Sequence, residues 1–152
     1  MMTDYYNDIP FMKLALEEAK KAGALGDVPV GAVIVKNGKV IATGHNRREA
    51  DGNALAHAEC LAIEKACKVL GGWRLTDCTL YVTLEPCPMC AGAIVNARIP
   101  RVVYGAKDET AGCVGSKIQL FALDFFHTPK VTTGVLEDEC RSLLTSFFEK
   151  RR

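Results

Sequence analysis

Cys78-Thr79-Leu80-Tyr81-Val82-Thr83-Leu84-Glu85-Pro86-Cys87-Pro88-Met89-Cys90 passes from a strand pattern to a helix start in one short run. Cys78 to Thr83 is rich in β-branched and aromatic residues and reads as a central strand. Pro88 suits the first turn of a helix, where its missing N–H costs nothing. A helix is therefore expected over Met89–Ala97, with Ala91, Gly92 and Ala93 permitting close packing. Cys87 and Cys90 fall at its start, about 60° apart on one face from the helix period. The positive end of the helix favours both as thiolates. Val102 to Gly105 reads as the next strand. A strand–helix–strand order implies a sheet covered by helices, in an α/β or three-layer arrangement.

Working outward, Val30 to Val35 reads as a buried strand. Asn37-Gly38 is a strong hairpin signal for a type I′ turn, and Lys39 to Thr43 returns as the second strand. This hairpin makes the sheet mixed. His57 to Leu70 reads as a helix stopped by Gly71-Gly72, with Leu61, Ala62, Ala66, Val69 and Leu70 for the core and Cys60 and Cys67 as packing thiols. At the N-terminal side, Asp8 is expected to cap a helix with Pro10 in its first turn. Phe11, Leu14, Ala15, Ala19 and Ala22 form its apolar stripe, and Gly23 ends it. Arg47–Asn53 and Lys107–Ser116 read as loops, and Lys117–Phe126 as a helix. Val131–Thr133 reads as a short strand. A last helix is expected from Glu137 or Asp138, with Leu143, Leu144, Phe147 and Phe148 as its apolar side.

The chain has 152 residues, 49% hydrophobic and 24% charged, which suits one domain, 1–152, with a genuine core. Asp4 and Asp8 interrupt the N-terminal stretch and no apolar run follows, so no secretory leader is expected. Seven cysteines without an export signal fit cytoplasmic thiols and a metal site better than a disulfide framework. A net charge of +1 does not mark a nucleic-acid binder. Any such binding must rest on local patches. Candidates are Arg47-Arg48, Arg98 with Arg101 and Lys107, and Lys150-Arg151-Arg152.

Ala56-His57-Ala58-Glu59-Cys60 supplies an imidazole and a carboxylate to set beside the two cysteines. His57, Cys87 and Cys90 make a three-ligand set of the kind zinc uses when its fourth position is left to water. Glu59 is then a free carboxylate beside an acidified water, which is the apparatus of hydrolysis. In mid-helix, residues two apart point to nearly opposite sides, so His57 and Glu59 share a pocket only if the metal lies near the helix end. A C-x-x-C alone would also fit a structural zinc or a redox pair, but that reading leaves the H-x-E element unexplained.

H-x-E followed by P-C-x-x-C is the established signature of zinc-dependent nucleobase deaminases, and the chain carries it in full. Across nearly its whole length it resembles the bacterial tRNA adenosine deaminases. The resemblance runs through Val28-Pro29-Val30-Gly31-Ala32-Val33, Ala56-His57-Ala58-Glu59, Leu80-Tyr81-Val82-Thr83-Leu84-Glu85-Pro86-Cys87 and Arg101-Val102-Val103-Tyr104-Gly105-Ala106. It implies the cytidine-deaminase-like fold, a mixed five-stranded sheet with helices on both faces in an α/β/α arrangement. It implies one zinc per chain on His57, Cys87 and Cys90, with Glu59 catalytic. It implies deamination of adenosine to inosine at the wobble position in a tRNA anticodon stem-loop, by a cytoplasmic homodimer. The resemblance sets Asn46 against the purine, with Val30, Leu84 and Pro86 about the substrate, Asp108 near the preceding ribose, and Arg151 and Arg152 on the RNA. The chain departs from the common pattern at Thr110, Ala111 and Phe126. The same zinc chemistry also serves enzymes acting on a free base or nucleoside such as guanine or cytosine, which is the alternative substrate class.

Overall fold

The structure, a computed structural model, describes residues 2–151, with side chains from residue 6. Five strands form one sheet: β1 (Gly31–Lys36), β2 (Lys39–His45), β3 (Cys78–Leu84), β4 (Arg101–Ala106) and β5 (Lys130–Thr133), in the order β2-β1-β3-β4-β5. β1 is antiparallel to both β2 and β3. β3, β4 and β5 run parallel, so the sheet is mixed as the sequence implies. Asn37 and Gly38 both have positive φ, 52° and 75°, the requirement of a type I′ hairpin turn. Parallel β3 and β4 need a crossover, which helix α4 (Pro88–Asn96) supplies.

The two faces are sorted by strand alternation. Ala32, Ile34, Leu80, Val82, Val102 and Tyr104 pack with α3 (Ala58–Leu70) and α4. Val33, Val35, Tyr81 and Val103 pack with α1 (Met2–Ala24) and with Cys140 of α5 (Glu137–Glu149). Helix, sheet and helix make the α/β/α layers. Helix α3 lies on the sheet through Ala58, Ala62 and Ala66, all fully buried. A side chain at Gly44 of β2 would run into the Ala58 carbonyl and the Ala62 amide, so only glycine allows this approach. That contact sets the start of α3 against the C-terminal end of β2.

Several local expectations are corrected. Helix α1 begins well before Asp8 and contains Pro10, so Asp8 is not its cap. Asp8 is instead 2% exposed and accepts hydrogen bonds from the Tyr81 hydroxyl at 2.8 Å and from Arg101 at 2.7 and 2.8 Å. Leu14 points to solvent, and Met12 and Leu16 take its expected place in the core. Val69 is exposed because the buried stripe of α3 runs through the alanines. Within Arg47–Asn53 a short helix, α2 (Arg48–Asp51), replaces plain loop. Lys117–Phe126 is not a helix but a single 3-10 turn, Leu120–Ala122. Its backbone is committed elsewhere: the Lys117 amide bonds Gly112, the Leu120 amide bonds Cys113, and the Ile118 carbonyl takes the Gly115 amide. Phe121 is consequently buried, whereas Phe125 and Phe126 face outward, as does Phe148 on α5.

Candidate active site

The C-terminal ends of β2 and β3 and the first turns of α3 and α4 meet at one end of the sheet. His57 is the N-cap of α3, with extended backbone at φ −84° and ψ 150°. It therefore stands outside the helical period, and Glu59 within the first turn can face the same space. Cys87 is the N-cap of α4, with Pro88 at the first helical position and Cys90 in the first turn. His57 Nδ1 lies 3.5 Å from Cys87 Sγ and 3.6 Å from Cys90 Sγ. All three donor atoms fall within 4.8 Å of one another, which makes them a group able to hold a metal ion.

The donor set suits zinc on two counts. Two ligands held at about 2.0 and 2.3 Å in a tetrahedron stand roughly 3.5 Å apart, the separation His57 keeps from both sulfurs. The charges also call for a cation. Hydrogen bonding from Cys90, helped by His57, pulls the Cys87 thiol down to about 4. The Cys90 thiol is pushed strongly up by its contacts with Cys60 and Cys87 and by burial. Two adjacent thiolates resist ionising together, and a bound dication removes that conflict.

Glu59 is 4% exposed, and burial pushes its carboxyl up to about 7. A group that must both take and give a proton near neutral pH works best in that range. It shares a cavity of about 190 Å³ with His57 and Cys87. The volume suits one heterocyclic base and not a length of folded nucleic acid. Val30, Leu84, Asn46 and Asp108 line the same cavity, together with Val28, Arg48 and Ala111.

Asn46 is buried and has two intramolecular partners. Its Oδ1 accepts the Ala58 amide at 2.9 Å and its Nδ2 donates to the Val28 carbonyl at 3.2 Å. It thus satisfies an orphan amide of the α3 first turn and fixes the segment that carries His57 and Glu59. Asp108 Oδ1 accepts the Thr110 and Ala111 amides at 3.0 and 3.1 Å, a turn-forming role. Pro86 does not line the cavity; its carbonyl takes the Cys113 amide at 2.9 Å. Arg151 also lies away from the cavity, stacked 4.1 Å over Phe147 and bonded to the Gly26 carbonyl at 3.2 Å. Arg152 lies outside the described residues.

Two residues do more than the sequence implies, which has the central strand deliver Glu85 and Pro86 to the metal and Cys60, near the site in sequence, only pack. Glu85, 2% exposed, accepts amides from Asp108, Val114 and Ser116 and the Ser116 hydroxyl, so it fixes the loop that carries Asp108. A carboxylate closing an apolar strand just before Pro86-Cys87 was its only sequence signal. Cys60 Sγ stands 3.7 Å from Cys90 Sγ, closer to the metal set than a thiol that merely packs. A separate cleft of about 580 Å³ lies between α1 and α5 and contains none of these groups.

The chain matches the MafB19-like deaminase family over residues 6–152. It is 53% identical over 143 residues to the tRNA-specific adenosine deaminase of Bacillus subtilis (strain 168), covering 93% of this chain and 89% of that one. It is 47% identical over 147 residues to the tRNA-specific adenosine deaminase of Haemophilus influenzae, covering 95% and 85%. A solved structure from a study of A-to-I editing by tRNA:A34 deaminases at the wobble position of transfer RNA superposes with a TM-score of 0.86 at 47% identity, over 88% of this chain and 98% of that one. A guanine deaminase from Nitrosomonas europaea superposes with a TM-score of 0.74 at 27% identity, over 90% and 82%.

Proposed function

Because the chain belongs to the tRNA-specific adenosine deaminase family, we propose that it converts adenosine to inosine at the wobble position of tRNA by zinc-dependent hydrolysis. Adenosine and water give inosine and ammonia. The observation that carries the chemistry is the convergence of His57, Cys87 and Cys90 beside the buried carboxylate of Glu59 in one cavity. The choice of adenosine in tRNA is carried by the family.

In this reading His57, Cys87 and Cys90 hold one zinc per chain. When bound, zinc acidifies a water and so supplies a nucleophile at neutral pH. Glu59 takes the proton of the water that attacks C6 of the purine, gives it to the ring nitrogen, and assists the departure of ammonia. Val30 and Leu84 supply the apolar walls of the base cavity. Asn46 holds the first turn of α3 in place and offers its remaining amide hydrogen toward the cavity. Asp108 keeps one carboxylate oxygen for its turn and presents the other to the ribose side. Arg151 and Arg152 belong to a C-terminal RNA contact.

The same family membership carries the proposals that the chain is one deaminase domain and works as a cytoplasmic homodimer. Exposed Leu55, Phe125 and Phe126 offer apolar surface for such an assembly. No helix among the described residues is long and apolar enough to cross a membrane.

The test is to incubate zinc-loaded protein with a tRNA anticodon stem-loop bearing adenosine at the wobble position, and in parallel with free adenine, guanine and cytosine. Inosine in the stem-loop with inert free bases is the expected result. Turnover of a free base with an unchanged stem-loop would overturn the substrate assignment.

A further inference from the structure

We infer that Arg48 is the phosphate anchor at the mouth of the active-site cavity, holding a backbone phosphate next to the nucleoside that enters beside Glu59. This rests on the reading that the substrate is RNA.

The basic patches legible in the sequence are separated by the fold. Arg47 is paired with Asp51 at 2.9 Å. Arg101 is spent on buried Asp8 at 2.7 Å. Arg98 donates to the Val95 and Asn96 carbonyls and stacks against Trp73 and Phe126. Arg48 is different. Its guanidinium is exposed and makes no hydrogen bond or ion pair among the described residues, and it is the sole cationic side chain lining the cavity. The other ionisable groups there include three carboxylates, Glu59, Glu85 and Asp108. A nucleotide entering this cavity brings its phosphates to a rim where Asp108 is the carboxylate that is partly exposed, and that charge is repulsive. Arg48 is the group that offsets it, and a guanidinium suits phosphate bidentately.

The backbone beneath Arg48 is held. Buried Asp27 accepts the Glu49 amide at 3.3 Å and the Ala50 amide at 3.5 Å, tying α2 to the turn after α1. The Arg47 amide bonds the Ala56 carbonyl at 2.9 Å, one residue before His57. The free guanidinium therefore stands on a fixed base whose position is linked to the metal set. Arg151 donates to the Gly26 carbonyl of the same turn.

The test uses zinc-loaded wild-type, Arg48→Ala and Arg48→Lys proteins on a stem-loop substrate, with zinc content and thermal unfolding measured alongside. Arg48→Ala should raise KM roughly tenfold or more, the scale of a charge-assisted hydrogen bond, while kcat on saturating RNA stays near wild type. Its binding should lose about one unit of salt slope. Arg48→Lys should restore part of the loss. Stem-loops carrying one methylphosphonate, placed 5′ or 3′ of the target, locate the contact. At one of the two positions wild type should weaken by the same factor, and Arg48→Ala should be indifferent. Wild-type KM in Arg48→Ala, or equal sensitivity of both proteins at both positions, overturns the inference alone. A wild-type protein inert on the unmodified stem-loop overturns the RNA reading and this inference with it.

Discussion

Glu85 accepts the backbone amide of Asp108 at 3.0 Å. The same carboxylate takes the Val114 amide at 3.0 Å and the Ser116 amide at 2.9 Å, so one buried side chain shapes the whole loop beside the cavity. Glu85→Gln replaces an oxygen facing amide donors with an NH2 group. The cost should be about 1–3 kcal/mol of stability, as for other buried groups left unpaired, with a raised KM for RNA as the loop loosens. Burial pushes the Glu85 carboxyl up, but its bonds from Ser116, Asp108 and Val114 outweigh that and hold it below the ordinary carboxylate value. A depressed pKa contributes stability that is complete above the unfolded value, about 4.3, and fades as pH falls through the folded one. Thermal unfolding of both proteins against pH should show a constant gap near neutrality that narrows below about pH 4. A gap that widens in acid would contradict the role given to Glu85.

The metal assignment predicts that Cys87→Ala and Cys90→Ala each lose zinc. Metal binding is coupled to folding, so both should also unfold at lower temperature. Zinc analysis of purified protein should give about one per chain for wild type, on the three-ligand catalytic pattern. Full occupancy in the Cys87→Ala/Cys90→Ala double variant would sink the ligand set.

Much of this frame is legible in the chain because it depends on near neighbours. The Asn37-Gly38 turn sets the hairpin, and Pro88 sets the start of α4 and hence the place of Cys87 and Cys90. His57 shows how a local pattern misleads by one residue: counted inside the helix it opposes Glu59, but as the N-cap it does not. What could not be read depends on partners remote in sequence. Asp8 looks like a cap until Arg101, reaching from β4, claims it. Lys117–Phe126 has helix composition, yet its backbone bonds are taken by residues 112–115. Arg47 and Arg48 are adjacent and chemically alike, and only the fold leaves one free.

Asp108→Asn is a clean probe of the ribose side. The turn uses Oδ1, which asparagine retains, so the loop should stay in place while the charge is lost. An acidic acceptor suits a 2′-hydroxyl, the group that tells RNA from DNA. The variant should narrow the RNA-over-DNA activity ratio on matched stem-loops. An unchanged ratio would show that Asp108 only forms the turn.

Removal of Lys150, Arg151 and Arg152 tests the C-terminal contact. RNA binding should weaken and its dependence on salt should flatten, because fewer phosphates are neutralised. Arg151 also bonds Gly26, so unfolding must be measured on the same preparation. An unchanged salt slope would leave that tail with the helix-end role alone.

Glu59→Ala is the sharpest test of mechanism. The metal set is complete without it, because two thiolates and an imidazole already converge within 4.8 Å. The substitution should therefore keep zinc. It removes a buried carboxyl whose burial opposes its charge, so fold stability should hold or rise slightly. Turnover should drop on the order of a hundredfold or more, the usual worth of acid–base catalysis. Affinity for the stem-loop should survive, since RNA contact is assigned to Arg48, Asp108 and the C-terminal residues. Zinc content, thermal unfolding, RNA affinity and single-turnover rate should be measured on one preparation. Near wild-type deamination would remove Glu59 from the proton path. Loss of zinc would make Glu59 a fourth ligand, and a site closed by four protein ligands is structural, with no position left for water.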